Sequence, residues 1–296
     1  MSRLVIGVDL SAESERAVAH GVAIARHLGW DATLVLVDAV PDLAATTPAS
    51  MRIVAERYAA IATARLDRHR AELAALRDRW IHHGPELAQL VVDGYPDERL
   101  PAVATELDAA LIVVGSHGRT GLKRFFIGSV AERVARRAEV DVLIARGDAP
   151  DGGYHRVVVG TDFSVQADQA ARHALRYFAR GGRLDLAHCW WMPGIVELGA
   201  PATSRLDHEL HGGLDDELRR ASERLRGALA DRPDVELSFD LVPAPPAQGL
   251  ADLAEQRGAE LIVVGSHGRR GLRRWILGSV AEVTVRHAPC SVLVAR

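Results

Sequence analysis

The sequence predicts an α/β chain made of two tandem doubly wound domains, each built on a five-stranded parallel sheet. Three observations predict it. First, LIVVGSHGRTGLKRFFIGSVAE (111–132) returns as LIVVGSHGRRGLRRWILGSVAE (261–282), with seventeen of twenty-two positions identical. Second, the match continues outside that stretch. RLVIGVDLSAESERAV (3–18) pairs with RVVVGTDFSVQADQAA (156–171), ATLVLVDA (32–39) with LDLAHCWW (184–191), and DVLIAR (141–146) with SVLVAR (291–296). A repeat of about 150 residues is too long for a solenoid unit and marks two copies of one domain. Third, short β-branched runs alternate with stretches of helical periodicity, the pattern of a parallel sheet covered by helices on both faces.

The elements follow in order. LVIGV opens the first half as a strand, and residues 13–28 carry apolar side chains at helical spacing. TLVLV is the second strand, and residues 51–81 repeat alanine, leucine and arginine with a 3.6 period. AQLVV, the helix PDERLPAVATEL (96–107), ALIVV, the helix SVAERVARRA (129–138) and DVLIA complete the domain. Strands this apolar are buried on both faces. GDAPDGGY (147–154) combines glycine, proline and aspartate as linkers do. The expected domains are 1–147 and 155–296, joined by 148–154. The second half repeats the order, with a long loop at 192–216 after its second strand.

Composition narrows the class. The formal net charge of −3 over 296 residues offers no basic field for nucleic acid or a membrane surface. Cys189 and Cys290 sit in apolar runs and read as buried thiols of a reducing compartment. The N-terminal stretch meets Asp9 too early for a signal peptide, and no apolar run approaches the roughly 18 residues of a membrane span. A cytoplasmic protein is expected.

The repeated stretch carries the chemistry. Gly115 and Gly118 follow a strand, and Gly128-Ser129 opens the next helix; Gly265, Gly268 and Gly278-Ser279 repeat this. In parallel sheets ligands bind at the carboxyl ends of strands. Glycine there lets a ligand approach the main chain, and the free amides of a helix start attract anions. His117, Arg119, Lys123 and Arg124 crowd the loop, as do His267, Arg269, Arg270, Arg273 and Arg274. These features converge on a polyphosphate. The Walker sequence is absent, and GVDLSAES and GTDFSVQA stand where a dinucleotide fingerprint would be. A structural reading stands beside this one. Ser129–Glu132 and Ser279–Glu282 have the spacing of capping boxes, and Asp9 and Asp162 have the placing of Asx turns before a helix.

The pattern G-x2-G-x9-G-S, set between a strand and a helix, resembles the ATP-binding signature of the universal stress proteins. So do the first strand ending in Asp then Ser, and the last strands VLIAR and VLVAR. The resemblance covers essentially the whole chain, once per half. It implies Rossmann-like, adenine-nucleotide-binding domains with ATP, with or without Mg2+, as ligand. The adenine side matches Asp9, Val37 and Val114, and Asp162, Cys189 and Val264. Ribose and phosphates match Gly115, Gly118, Arg119, Gly128, Ser129 and Val130, and Gly265, Gly268, Arg269, Gly278, Ser279 and Val280. One departure bears on the second site: Ala244 stands where the first half has Gly94. The family's last strands pair across a dimer axis, so 140–146 and 291–296 are expected to pair within one chain as a pseudo-dimer. A further homodimer is compatible with this.

The resemblance implies a regulator of the stress response that binds ATP and hydrolyses it slowly or not at all. No catalytic residue is assigned. His208 and His211 lack a third ligand for a metal site, and Trp190 and Trp191 are expected to pack in the core or an interface. A slow ATPase or adenylyl-transfer enzyme, and a dimerisation module without nucleotide, are the competing readings.

Overall fold

The structure is a computed structural model, and it describes residues 2–38, 52–84, 86–116, 128–191, 200–230, 232–266 and 277–296. The first half runs β1 (Arg3–Val8), α1 (Ala12–Leu28), β2 (Asp31–Asp38), α2 (Arg52–Trp80), β3 (Leu87–Asp93), α3 (Pro96–Glu106), β4 (Ala109–Gly115), α4 (Ser129–Arg137) and β5 (Asp141–Ala145). The second runs β6 (Tyr154–Gly160), α5 (Val165–Arg176), β7 (Phe178–Cys189), α6 (Ala200–Ala228), β8 (Glu236–Val242), α7 (Pro246–Arg257), β9 (Leu261–Gly265), α8 (Ser279–His287) and β10 (Ser291–Ala295).

Local chemistry sets these boundaries. The Ser11 side chain caps α1 by accepting from the Ser14 amide, Glu13 and Glu15 lie in its first turn, and Arg26 and His27 in its last. Gly29 ends the helix at φ 64°, a left-handed conformation that glycine adopts without a steric cost.

Each half forms a parallel five-stranded sheet, and the two join edge to edge. The order is β3-β2-β1-β4-β5-β10-β9-β6-β7-β8. Only the central step is antiparallel: Val292 faces Ile144, Leu293 faces Leu143 and Val294 faces Val142. The expected intrachain pseudo-dimer is therefore present, with the last strands at its dyad. One apolar layer, including Leu34, Leu73, Leu143, Leu218 and Leu293, lies under α1, α2, α5 and α6. The opposite layer, including Ile112, Val134, Leu253 and Val285, lies under α3, α4, α7 and α8. Both layers cross the boundary between the halves without a break.

The second half departs from the sequence reading in three places. Residues 200–216, expected as loop, begin α6; 192–199 lie outside the described residues. Among the described side chains of α6, the buried stripe runs through Leu218, Ala221 and Leu225. Upstream, Gly212 and Gly213 are exposed, so no apolar period announces the helix. Next, β7 begins at Phe178, because that residue pairs with Tyr154 before a register shift. It ends at Cys189, so both tryptophans stand beyond the strand. Trp190 donates its amide to the Val242 carbonyl at 2.9 Å, but Trp191 is 59% exposed rather than packed.

Candidate functional site

The carboxyl ends of β1 and β4 meet at one rim, and those of β6 and β9 at its counterpart. Beyond β1, the Asp9 carboxylate accepts from the Ser11 amide at 3.0 Å and from the Ser11 hydroxyl. Beyond β6, Asp162 accepts from the Ser164 amide at 3.1 Å. These are Asx turns, each passing the chain to a serine that caps the following helix. Leu10 and Phe163 sit between aspartate and serine at φ 63° and 64°. The turn-forming role of both aspartates is therefore realised.

At the other strand of each rim the chain leaves and returns through one hydrogen bond. The Gly128 amide donates to the Ser116 carbonyl at 2.7 Å, and the Gly278 amide to that of Ser266 at 2.9 Å. Val114 and Val264, just before the exits, are buried.

The expected capping boxes do not form. The N-cap residues are Gly128 and Gly278, with extended backbone and no side-chain cap. The Gly128–Ser116 and Gly278–Ser266 bonds fix each glycine as the last residue before its helix. Ser129 and Ser279 thus become the first helical residues, too late to cap. Glu132 and Glu282 turn instead to arginines. Arg136 lies 3.0 Å from Glu132 and 3.4 Å from Glu282; Arg286 lies 3.0 Å from Glu132 and 2.8 Å from Glu282. The bond to Glu132 holds the Arg286 guanidinium above its ordinary pKa. The starts of α4 and α8, with Ser129, Val130, Ser279 and Val280, thus keep amides that their N-cap residues do not cap.

Val37 and Cys189 occupy equivalent places, each half-buried against the layer under α3 and α7. Their alignment follows from the register, since Val37 faces Val92 and Cys189 faces Val242. Both cysteines are free and half-buried rather than fully enclosed. Desolvation pushes each thiol up to about 12, so Cys189 packs as a small apolar group. Gly94 adopts φ 127°, and its amide donates to the Asp38 carbonyl. Ala244, at the matching place, has no positive φ, and its amide donates to the Val242 carbonyl at 2.9 Å. The two rims differ in backbone path as well as by one methyl group.

Gly118, Arg119, His117, Lys123 and Arg124 lie outside the described residues, as do Gly268, Arg269, His267, Arg270, Arg273 and Arg274. The side chains of His208 and His211 are likewise outside them, although both positions fall on α6.

Three polar groupings were not read from the sequence. Asp38, buried at the end of β2, pairs with Arg65 at 3.0 Å and His69 at 3.1 Å on α2; Trp190 replaces it in the second half. Arg146 donates to the carbonyls of Val285 at 2.8 Å and of Ala288 at the end of α8. Arg296 does the same to Arg136 at 3.2 Å and to Ala135 at the end of α4. The signal was a charged residue closing each apolar strand; Asp38 finds its partners on α2 of its own half, whereas those of Arg146 and Arg296 lie in the other half.

The family model of the universal stress protein family matches residues 1–146 and 153–296. The chain belongs to the universal stress protein family. Its two matches make it a tandem universal stress protein. A universal stress protein of Mycolicibacterium smegmatis is 29% identical over 312 residues, covering 99% of this chain and 96% of that protein. One from Mycobacterium tuberculosis H37Rv is 35% identical over 193 residues. That match covers 64% of this chain, which spans 62% of that relative's length. The crystal structure of a universal stress protein from Archaeoglobus fulgidus has the same fold, with a TM-score of 0.65 at 21% identity. It aligns over 99% of this chain and 98% of its own. No helix among the described residues is long and apolar enough to cross a membrane.

Proposed function

We propose that each half binds ATP at its rim and that the chain is a nucleotide-dependent regulator of the stress response. One observation carries this reading. In both halves the helix after the glycine-punctuated loop starts at a glycine without a side-chain cap, at the carboxyl end of a parallel strand. Amides at such a start, with the positive end of the helix dipole, suit a polyphosphate.

The proposed contacts are the following. The amides of Ser129 and Val130, and of Ser279 and Val280, face the phosphates. Gly115 and Gly265 let the ribose lie against the main chain, and Gly118, Arg119, Gly268 and Arg269 complete the loop. Val37, Val114, Cys189 and Val264 supply apolar surface for the base. Asp9 and Asp162, already holding their turns, stand beside it as acceptors. ATP leaves these groups unchanged and supplies the signal. Its binding changes what each rim presents, and a partner reads that change.

The test is to purify the protein without added nucleotide, denature it, and identify the released small molecules by mass spectrometry. Up to two adenine nucleotides per chain are expected, with the first half filled more completely. A fully folded preparation that releases none and takes none up contradicts the reading.

A further inference from the structure

We infer that nucleotide binding in the two halves is negatively coupled through the four-charge ring of Glu132, Arg136, Glu282 and Arg286; this rests on the nucleotide reading of the two helix starts. The ring spans the pseudo-dyad. Each glutamate lies in the first turn of a proposed phosphate-binding helix, and each arginine is shared by both glutamates at 2.8–3.4 Å. Both carboxylates are mostly shielded, with side-chain exposures of 18% and 29%, so solvent screens the ring incompletely.

The two cations are a shared resource. A polyphosphate at the start of α4 adds negative charge beside Glu132. Arg136 and Arg286 respond by closing on Glu132, which loosens their hold on Glu282. A less neutralised Glu282 then opposes a second polyphosphate at the start of α8. Linkage makes the effect reciprocal. The helix ends prevent independent adjustment, because Arg146 of the first half grips the end of α8 and Arg296 of the second grips the end of α4. Either half filled alone therefore binds more tightly than the second half to fill.

The experiment is ATP titration calorimetry on the full chain. Gly128→Val closes the first site and Gly278→Val the second; Ser129→Pro and Ser279→Pro instead remove an amide at each helix start without adding charge, in case a valine perturbs folding. Circular dichroism checks each variant. Independent sites give a parent isotherm equal to the sum of the two single-site isotherms. The expected result is a second binding event about five-fold or more weaker than the weaker single site. Replacing both carboxylates, as Glu132→Gln with Glu282→Gln, is expected to return the chain to the simple sum. A parent that already equals the sum, tighter second binding, or coupling undiminished without the carboxylates overturns the inference while leaving nucleotide binding intact. No binding in any chain overturns the nucleotide reading and the inference with it.

Discussion

His173 on α5 holds Asp141 on β5 through Nδ1 at 2.9 Å, across the boundary between the two halves. The same carboxylate accepts from the Tyr177 hydroxyl at 3.1 Å and from the Arg296 amide at 2.9 Å. Asp141 is buried, so these donors take the place of water around its carboxylate. Its pseudo-equivalent, Ser291, instead shares two hydrogen bonds with the Arg146 main chain. The junction is thus chemically asymmetric although its strands are symmetric.

Asp141→Ala leaves the Tyr177 hydroxyl and the Arg296 amide without their acceptor in a buried place. We expect a loss of about 1–3 kcal/mol in urea unfolding. A change within a few tenths of a kcal/mol contradicts the role given to this carboxylate.

The dyad also rests on apolar packing. Leu143 and Leu293 face each other, and each is buried. Leu293→Ala is expected to cost about 2–5 kcal/mol, the range for deleting a buried leucine side chain. Because both apolar layers cross the junction, the two halves should melt in one calorimetric transition in the parent. Two separate transitions would contradict that continuity.

His20 gives a pH dependence with a defined sign. It is buried, and its Nδ1 shares a 2.9 Å hydrogen bond with the Tyr154 hydroxyl. Desolvation lowers its pKa from 6.5 to about 4, partly opposed by the Gly147 carbonyl and Asp148. The unfolded chain therefore binds this proton more readily than the folded one. Its contribution is fully present above pH 6.5 and is lost as pH falls towards 4, by up to about 3 kcal/mol. Unfolding measured from pH 7 to 4 should show a steeper decline in the parent than in His20→Gln. Parallel curves would refute it.

Cys189 and Cys290, with thiols held near 12, should react slowly in the folded protein. A chromogenic disulfide reagent at pH 8 should titrate both only on unfolding. Rapid labelling of the native chain contradicts this.

The paired sheets were legible because each strand is a short apolar run and each repeat announces its copy. The β5–β10 step was legible only through the family resemblance, since VLIAR and VLVAR do not by themselves say what they pair with. The four-charge ring was hidden for a related reason. Glu132–Arg136 and Glu282–Arg286 have i,i+4 spacing on separate helices, and the dyad brings the two pairs together. The capping boxes were misread because the spacing fits whether serine precedes the helix or begins it; the Gly128–Ser116 hydrogen bond decides. The start of α6 was missed because its upstream residues show no apolar stripe.

In the proposed reading the main-chain amides of Ser129 and Val130, and of Ser279 and Val280, hold a nucleotide's phosphates. Equilibrium dialysis of the folded chain with ATP at physiological salt tests it most directly. Saturable binding of up to two molecules per chain is expected, abolished when Gly128→Val and Gly278→Val are combined. A natively folded chain that retains no ATP at millimolar concentration contradicts it.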